Sequence, residues 1–378
     1  MFNESTYQAA KTIAPIIVNL FADHLSKAIE LGEENLATVP DTHAIESIID
    51  AAFWASLRRE EGNSPKISLA LLPPELSGQP LLFEKRIKIT PAALTKLAPG
   101  VERAGIHLGV WHEGDELYIW GTTHKIPNYC FVLDVSEPGL LVIKHRRVIG
   151  YGKFINVAVL IGDQIKIVDE ESAHLPDCPG VLSSLLGFTT AGDDTINILI
   201  QLAVSMRAHK HGGTLLVVPS GSTKWKDSIL HPIKYAIQPA FCGLSELIKQ
   251  DTNQRINSSW QSELIREIDS IGGLTAVDGA TVISDQHELL AFGSKIIRAR
   301  GKEMVEQIVV TEPIIGGGAT IVNPANNGGT RHISAAQFVH DQKDSLALVA
   351  SQDGHFTVFT WSPCEKMVHA HRIDSLLV

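Results

Sequence analysis

The chain has 378 residues, 44% of them hydrophobic and 20% charged, with a formal net charge of -10 at pH 7. That length suits two domains, each large enough to bury its own core. The acidic balance argues against a nucleic-acid partner, which needs a basic face. It leaves room for a nucleotide held by a few local cations and backbone N–H groups.

The opening stretch, MFNESTYQAAKTIAPIIVNLF, lacks a basic n-region and carries Glu4 and Lys11, so it reads as a poor signal peptide. No apolar run of about 18 uncharged residues occurs, so no membrane span is expected. The four cysteines, Cys130, Cys178, Cys242 and Cys364, form no C-x-x-C pair. That pattern points to a reducing, cytoplasmic setting.

The first 60 residues read as helices. In Thr42–Glu61, apolar residues recur at Ile45, Ile48, Ile49, Ala52 and Phe53, between Pro40-Asp41 and Gly62. From Pro65 to Val168 the pattern turns to strands. Short apolar runs begin at Ile67, Leu81, Ile106, Glu116, Tyr129, Leu140, Val157 and Ile165, and Glu113-Gly114-Asp115 marks a hairpin. A smaller α+β domain with a mostly antiparallel sheet follows from this. The basic run Lys144-His145-Arg146-Arg147 reads as a solvated strand end.

Asp169–Gly192 is rich in Ser, Pro, Gly and acids, which marks a boundary between domains at 1–185 and 186–378. A helix is expected from Asp193-Asp194-Thr195, stopped by Gly212-Gly213. The strand Thr214–Val218 follows, then more helix over 225–270. Helix followed by a continuous apolar strand predicts an α/β fold, with a mixed sheet flanked by helices.

Three later patterns can carry chemistry. In Asp278-Gly279-Ala280, a carboxylate at the mouth of a strand precedes two small residues, which suits close approach of a ligand and a hard cation. In Gly328-Gly329-Thr330-Arg331-His332, two glycines lead into a helix start with Thr330 as cap. Free N–H groups and Arg331 can grip phosphate there. In Ser351-Gln352-Asp353-Gly354, a hairpin turn carries a hydroxyl and an acid. Gly316-Gly317-Gly318 has no Gly-Lys-Ser/Thr and reads as a surface loop.

Together the three patterns resemble the diadenylate cyclase domain family. Its members carry Asp-Gly-Ala, then Gly-Thr-Arg-His-Arg, then a Ser-Glu-Glu-type turn. The resemblance covers about residues 190–362. It implies an enzyme that joins two ATP molecules into cyclic di-AMP, using Mg²⁺ or Mn²⁺, as a face-to-face dimer. The N-terminal half resembles the sensor-type domains that precede such cyclases, with a ligand of unknown identity. The roles implied are metal binding by Asp278 and Asp353, room for the nucleotide at Gly279 and Ala280, and phosphate contacts from Gly329, Thr330, Arg331, His332 and Ser351.

Two positions depart from the pattern: Ile333 stands where the family has Arg, and Gln352-Asp353 replaces two glutamates. They leave a second reading, a catalytically silent module that binds a nucleotide or cyclic dinucleotide.

Overall fold

The computed structural model describes residues 5–103, 105–114, 116–146, 154–168, 198–250 and 258–377. It divides into two compact units, Met1–Val168 and Asp169–Leu377. The boundary segment read from the sequence and the helix start at Asp193 lie outside the described residues.

In the first unit, α1 (Gln8–Glu30) and α2 (Thr42–Ser56) precede β1 (Ile67–Leu71), β2 (Leu81–Lys88), α3 (Pro91–Leu97), β3 (His107–Glu113) and β4 (Glu116–Thr123). β5 (Val132–Glu137), β6 (Leu140–Arg146), β7 (Phe154–Ile161) and β8 (Gln164–Ile167) complete it. α2 starts where Asp41 accepts a hydrogen bond from the Ala44 N–H at 2.9 Å. Its stripe, Ile45, Ile48, Ile49 and Ala52, is fully buried. The helix ends at Ser56 rather than Glu61. Residues 58–61 are all charged, so no apolar face remains to bury, and the chain turns at Glu61 and Gly62, both at positive φ. α3 falls within a stretch read as strand. Thr90 caps it through the Ala93 N–H, and Pro91 takes the first helical position.

The strands form a sheet in the order β2-β4-β3-β1-β5-β6-β7-β8, antiparallel except for β1 beside β3. One sheet face, including Leu69, Leu108, Leu133 and Ile143, packs with α1 and α2 in a single apolar core.

In the second unit, α4 (Ile198–Ala208) leads to β9 (Gly213–Val218), β10 (Tyr235–Phe241), α5 (Gly243–Ile248), α6 (Ser258–Leu274), β11 (Ala280–Ser284) and β12 (Leu289–Ser294). β13 (Ile308–Thr311), β14 (Thr320–Val322), α7 (Thr330–Asp341), β15 (Leu346–Ala350), β16 (Phe356–Ser362), β17 (Met367–Arg372) and α8 (Asp374–Leu377) follow. The sheet order is β10-β12-β11-β9-β15-β16-β17-β13-β14. Its pairs β9/β11 and β13/β17 are parallel, so the sheet is mixed. One face buries Leu215, Val217, Leu348 and Val358 with Leu202, Met206, Leu264 and Ile268 from α4 and α6. The other buries Leu216, Val349 and Phe359 with Ala335, Ala336, Phe338 and Val339 from α7. Helices on both faces make this an α/β layer structure.

The helix expected over 225–270 is interrupted by β10. Among the described residues this strand lies at the sheet edge and pairs with β12 alone, with its register broken between Ala236 and Phe241. Pro239 falls in that break, where its missing N–H removes no ladder bond.

Candidate active site

Strand register gathers the three sequence patterns at one end of the second sheet. Parallel pairing sets Ala280 of β11 beside Thr214 of β9. Antiparallel pairing sets Ala350 of β15 beside Gly213. The turns that carry Asp278, Gly212 and Ser351 therefore lie side by side, on strands about 5 Å apart.

The start of α7 reaches the same end. A Cβ added to Gly212 would lie 3.0 Å from Arg331 Nη1, 3.2 Å from the Ala350 carbonyl and 3.4 Å from Gln352 Cγ. The Arg331 guanidinium thus lies over the start of β9 and the end of β15. Gln352 ties the two turns together by donating from Nε2 to the His211 carbonyl at 3.3 Å. His209 joins the same end from the α4 side. The Thr275 hydroxyl donates to the Gly272 carbonyl at 2.6 Å, so His209 Nε2 donates to Thr275 Oγ1 at 3.0 Å. His209 Nδ1 then accepts from the His211 N–H at 3.1 Å.

Asp278 is exposed. Gly279 sits at φ +112, and a Cβ there would lie 2.5 Å from the backbone of Gly293 on β12. Close strand packing is therefore the reason for glycine at this position. Ala280 is 1% exposed and belongs to the core beneath α7, so it offers no side-chain surface to a ligand.

Gly329, rather than Thr330, is the N-cap of α7, and no side chain caps the helix. Thr330 is the first helical residue and is exposed, as is Arg331. Uncapped N–H groups, the positive end of the helix and a guanidinium make an anion site in outline.

His332 points the other way, into the fold. Its Nε2 lies 3.3 Å from the Thr357 hydroxyl of β16. Burial, helped by the Arg372 charge, lowers its pKa from the ordinary 6.5 to about 4. It is a neutral anchor for the first turn of α7 rather than a phosphate contact. Gly328 leaves the space its ring fills, since a Cβ there would lie 2.5 Å from His332 Nδ1. Arg372 carried no motif signal. It closes β17 in register with Thr357, the residue His332 meets.

Ser351 is half-buried. Its Oγ accepts the His355 N–H at 3.1 Å, which leaves its own proton free to donate outward. Asp353 is exposed on the same turn. Among the described residues, no three His, Cys, Asp or Glu side chains are arranged to hold a metal ion.

Residues 34–124 match a protein family described as "Probable sensor domain DACNV". The first unit is thus similar to a sensor domain over α2 to β4. No curated protein matches the chain. Among the described residues, no helix is long and apolar enough to cross a membrane.

The buried histidines set a pH dependence. Burial also pushes His371 down, to about 3, with its Nδ1 2.7 Å from the Thr311 hydroxyl. The folded chain holds His332 and His371 neutral, while the unfolded chain protonates them near 6.5. The unfolded state therefore binds more protons at mildly acid pH, and stability falls with pH from about 6.5 to about 4. Denaturant midpoints across that range are expected to drop, and His332→Gln is expected to flatten part of the slope.

Proposed function

We propose that the second unit is a diadenylate cyclase and that the first unit regulates it. The observation that carries this reading is the meeting of Asp278, Arg331 and Ser351, from three distant stretches, at one sheet end.

In this reading ATP lies across the starts of β9 and β11. Its phosphates face the first turn of α7. Thr330 and Arg331 donate to phosphate oxygens, and the Ser351 hydroxyl adds a third donor. Gly329 keeps the approach to the helix end open, and His332 holds that turn in place from below. Asp278, with Asp353 nearby on the β15–β16 turn, provides carboxylate for Mg²⁺ or Mn²⁺. Such a cation, when bound, would supply positive charge to offset that of the phosphates. Asp278 also accepts a hydrogen bond from the ribose 3′-hydroxyl.

The 3′-hydroxyl of one ATP releases its proton toward Asp278 as its oxygen bonds to the α-phosphorus of the other, and the bond from that phosphorus to the bridging oxygen of pyrophosphate breaks. The same exchange in the opposite sense closes the ring. The protein contributes position and charge more than covalent chemistry. Two nucleotides must face each other, so two copies of this unit complete the site.

The alternative, a silent nucleotide-binding module, has one supporting observation. The Gln352 amide is spent on the His211 carbonyl, so that position supplies no acid. The discriminating experiment incubates the purified protein with ATP and Mn²⁺ or Mg²⁺ and separates the products by chromatography. The enzyme reading expects cyclic di-AMP that disappears in Asp278→Ala. Saturable ATP binding without product supports the module, and absence of both overturns the two readings.

A further inference from the structure

The first unit holds a polar cluster on the sheet face turned away from α1 and α2. Leu69, Leu108, Leu133 and Ile143 face the helices. By the alternation of strands, Ser68, His107, Asp134 and Lys144 face the other side. They come from four successive strands, β1, β3, β5 and β6, and register sets Ser68 directly opposite Asp134.

These side chains form one connected chain. Ser68 Oγ lies 2.5 Å from Asp134 Oδ1 and 2.7 Å from His107 Nδ1. Lys144 pairs with the other oxygen of Asp134. A carboxylate only accepts, so the Ser68 proton goes to Asp134 and His107 Nδ1 donates to Ser68. That leaves Nε2 as the acceptor nitrogen of the His107 ring, which is buried.

The face is concave. His107 stands on β3 and Phe154 on β7, four places apart in the sheet, which is about 19 Å in a flat sheet. Their rings nevertheless meet at 5.7 Å, and the Lys144 ammonium lies 4.6 Å from the Phe154 ring centre. The sheet must curl round this cluster. The same face also carries Ala70, Leu72, Trp120, Cys130 and Val132, with Phe154 packed against them, so the polar cluster borders an apolar one.

An ion pair in such an interior stabilises less than apolar packing of the same volume. Lys144 and Asp134 remain reachable, with side chains 18% and 25% exposed. We propose that this concave face is the ligand site of the regulatory unit, and that its ligand is a small zwitterion carrying an ammonium and a carboxylate, as a free amino acid does. The ammonium meets the remaining lone pairs of Asp134. The carboxylate meets the remaining N–H groups of Lys144, and Phe154 forms an apolar wall. Charge balance selects this class. Burial keeps His107 neutral at pH 7, with a pKa of about 4. A lone anion would face Asp134 and a lone cation would face Lys144, each adding net charge to the interior. A zwitterion adds none.

The proposal rests on reading the first unit as a sensor. Its test is thermal-shift and calorimetric titration of the full chain with glycine, L-alanine, L-glutamate, L-lysine and L-phenylalanine at millimolar concentration. At least one is expected to raise Tm and bind with measurable heat. Its N-acetyl and methyl-ester forms are expected to bind the unaltered protein at least about tenfold more weakly, since each loses one charge-assisted contact. Asp134→Asn and Lys144→Met are expected to lose binding by a similar factor. If no probe binds, or if the blocked forms bind as well as the parent, the proposal is overturned. Cyclic di-AMP formation, read separately, reports on the second unit, so the two readings fail independently.

Discussion

In the proposed cyclase, Arg331→Ala is expected to lower cyclic di-AMP formation about a hundredfold, with the fold intact. Arg331 is exposed, at the start of α7, so removing it opens no core cavity. Its guanidinium lies beside Gly212 and the Ala350 carbonyl, over the strand ends that carry Asp278 and Ser351. A charge-assisted, two-pronged contact to phosphate contributes about 2–3 kcal/mol, and each 1.36 kcal/mol is tenfold in rate. Arg331→Lys keeps the charge but not the fork, so it is expected to recover only part of the loss. The reciprocal change is Ile333→Arg. Ile333 is 37% exposed, so an arginine fits without disturbing the core. Turnover is expected to rise, through a second cation near the helix end. Steady-state kcat and KM for ATP check both variants. Unchanged values for Arg331→Ala would remove the phosphate role from this turn.

Gly279→Ala is expected to destabilise the second unit by about 2–6 kcal/mol. Two penalties add. The residue sits at φ +112, where an L side chain is strained by about 1–3 kcal/mol. The new Cβ would also press on the Gly293 carbonyl carbon at 2.5 Å and the Ser294 nitrogen at 2.8 Å. Those atoms belong to backbone and cannot swing aside, so β11 and β12 must separate, at a further cost of about 1–3 kcal/mol. Chemical denaturation of the second unit measures the loss. A change below about 1 kcal/mol would mean that the strands tolerate separation there and that glycine serves the ligand instead.

Local pattern made much of this legible. The stripe Ile45, Ile48, Ile49 and Ala52 announces α2 because helical periodicity and burial coincide there. The hairpin of β15 and β16 is readable because an Asp-Gly turn sits between two apolar runs. The Asp278 and Arg331 turns are readable as motifs, but their meeting is not. It depends on β9 pairing with both β11 and β15, long-range contacts that no local window contains. β10 was hidden because an edge strand needs no apolar alternation, and Pro239 reads as a helix break. His332 looked like a phosphate ligand because a histidine after an arginine at a helix start is ambiguous until its neighbours are known. Thr357 and Arg372, on other strands, decide its direction. The polar cluster of the first unit was invisible for the same reason. Ser68, His107, Asp134 and Lys144 lie on four separate strands, and only the pairing of those strands brings them together.

Backbone hydrogen exchange with and without 3′-deoxy-ATP and Mg²⁺ tests the proposed common site most directly, because this nucleotide has the phosphates but no attacking hydroxyl. Slowed exchange is expected together in three places: the turn before β11, the first turn of α7 and the turn after β15. Protection confined to one of them, or centred elsewhere in the second unit, would contradict a common site for the triphosphate.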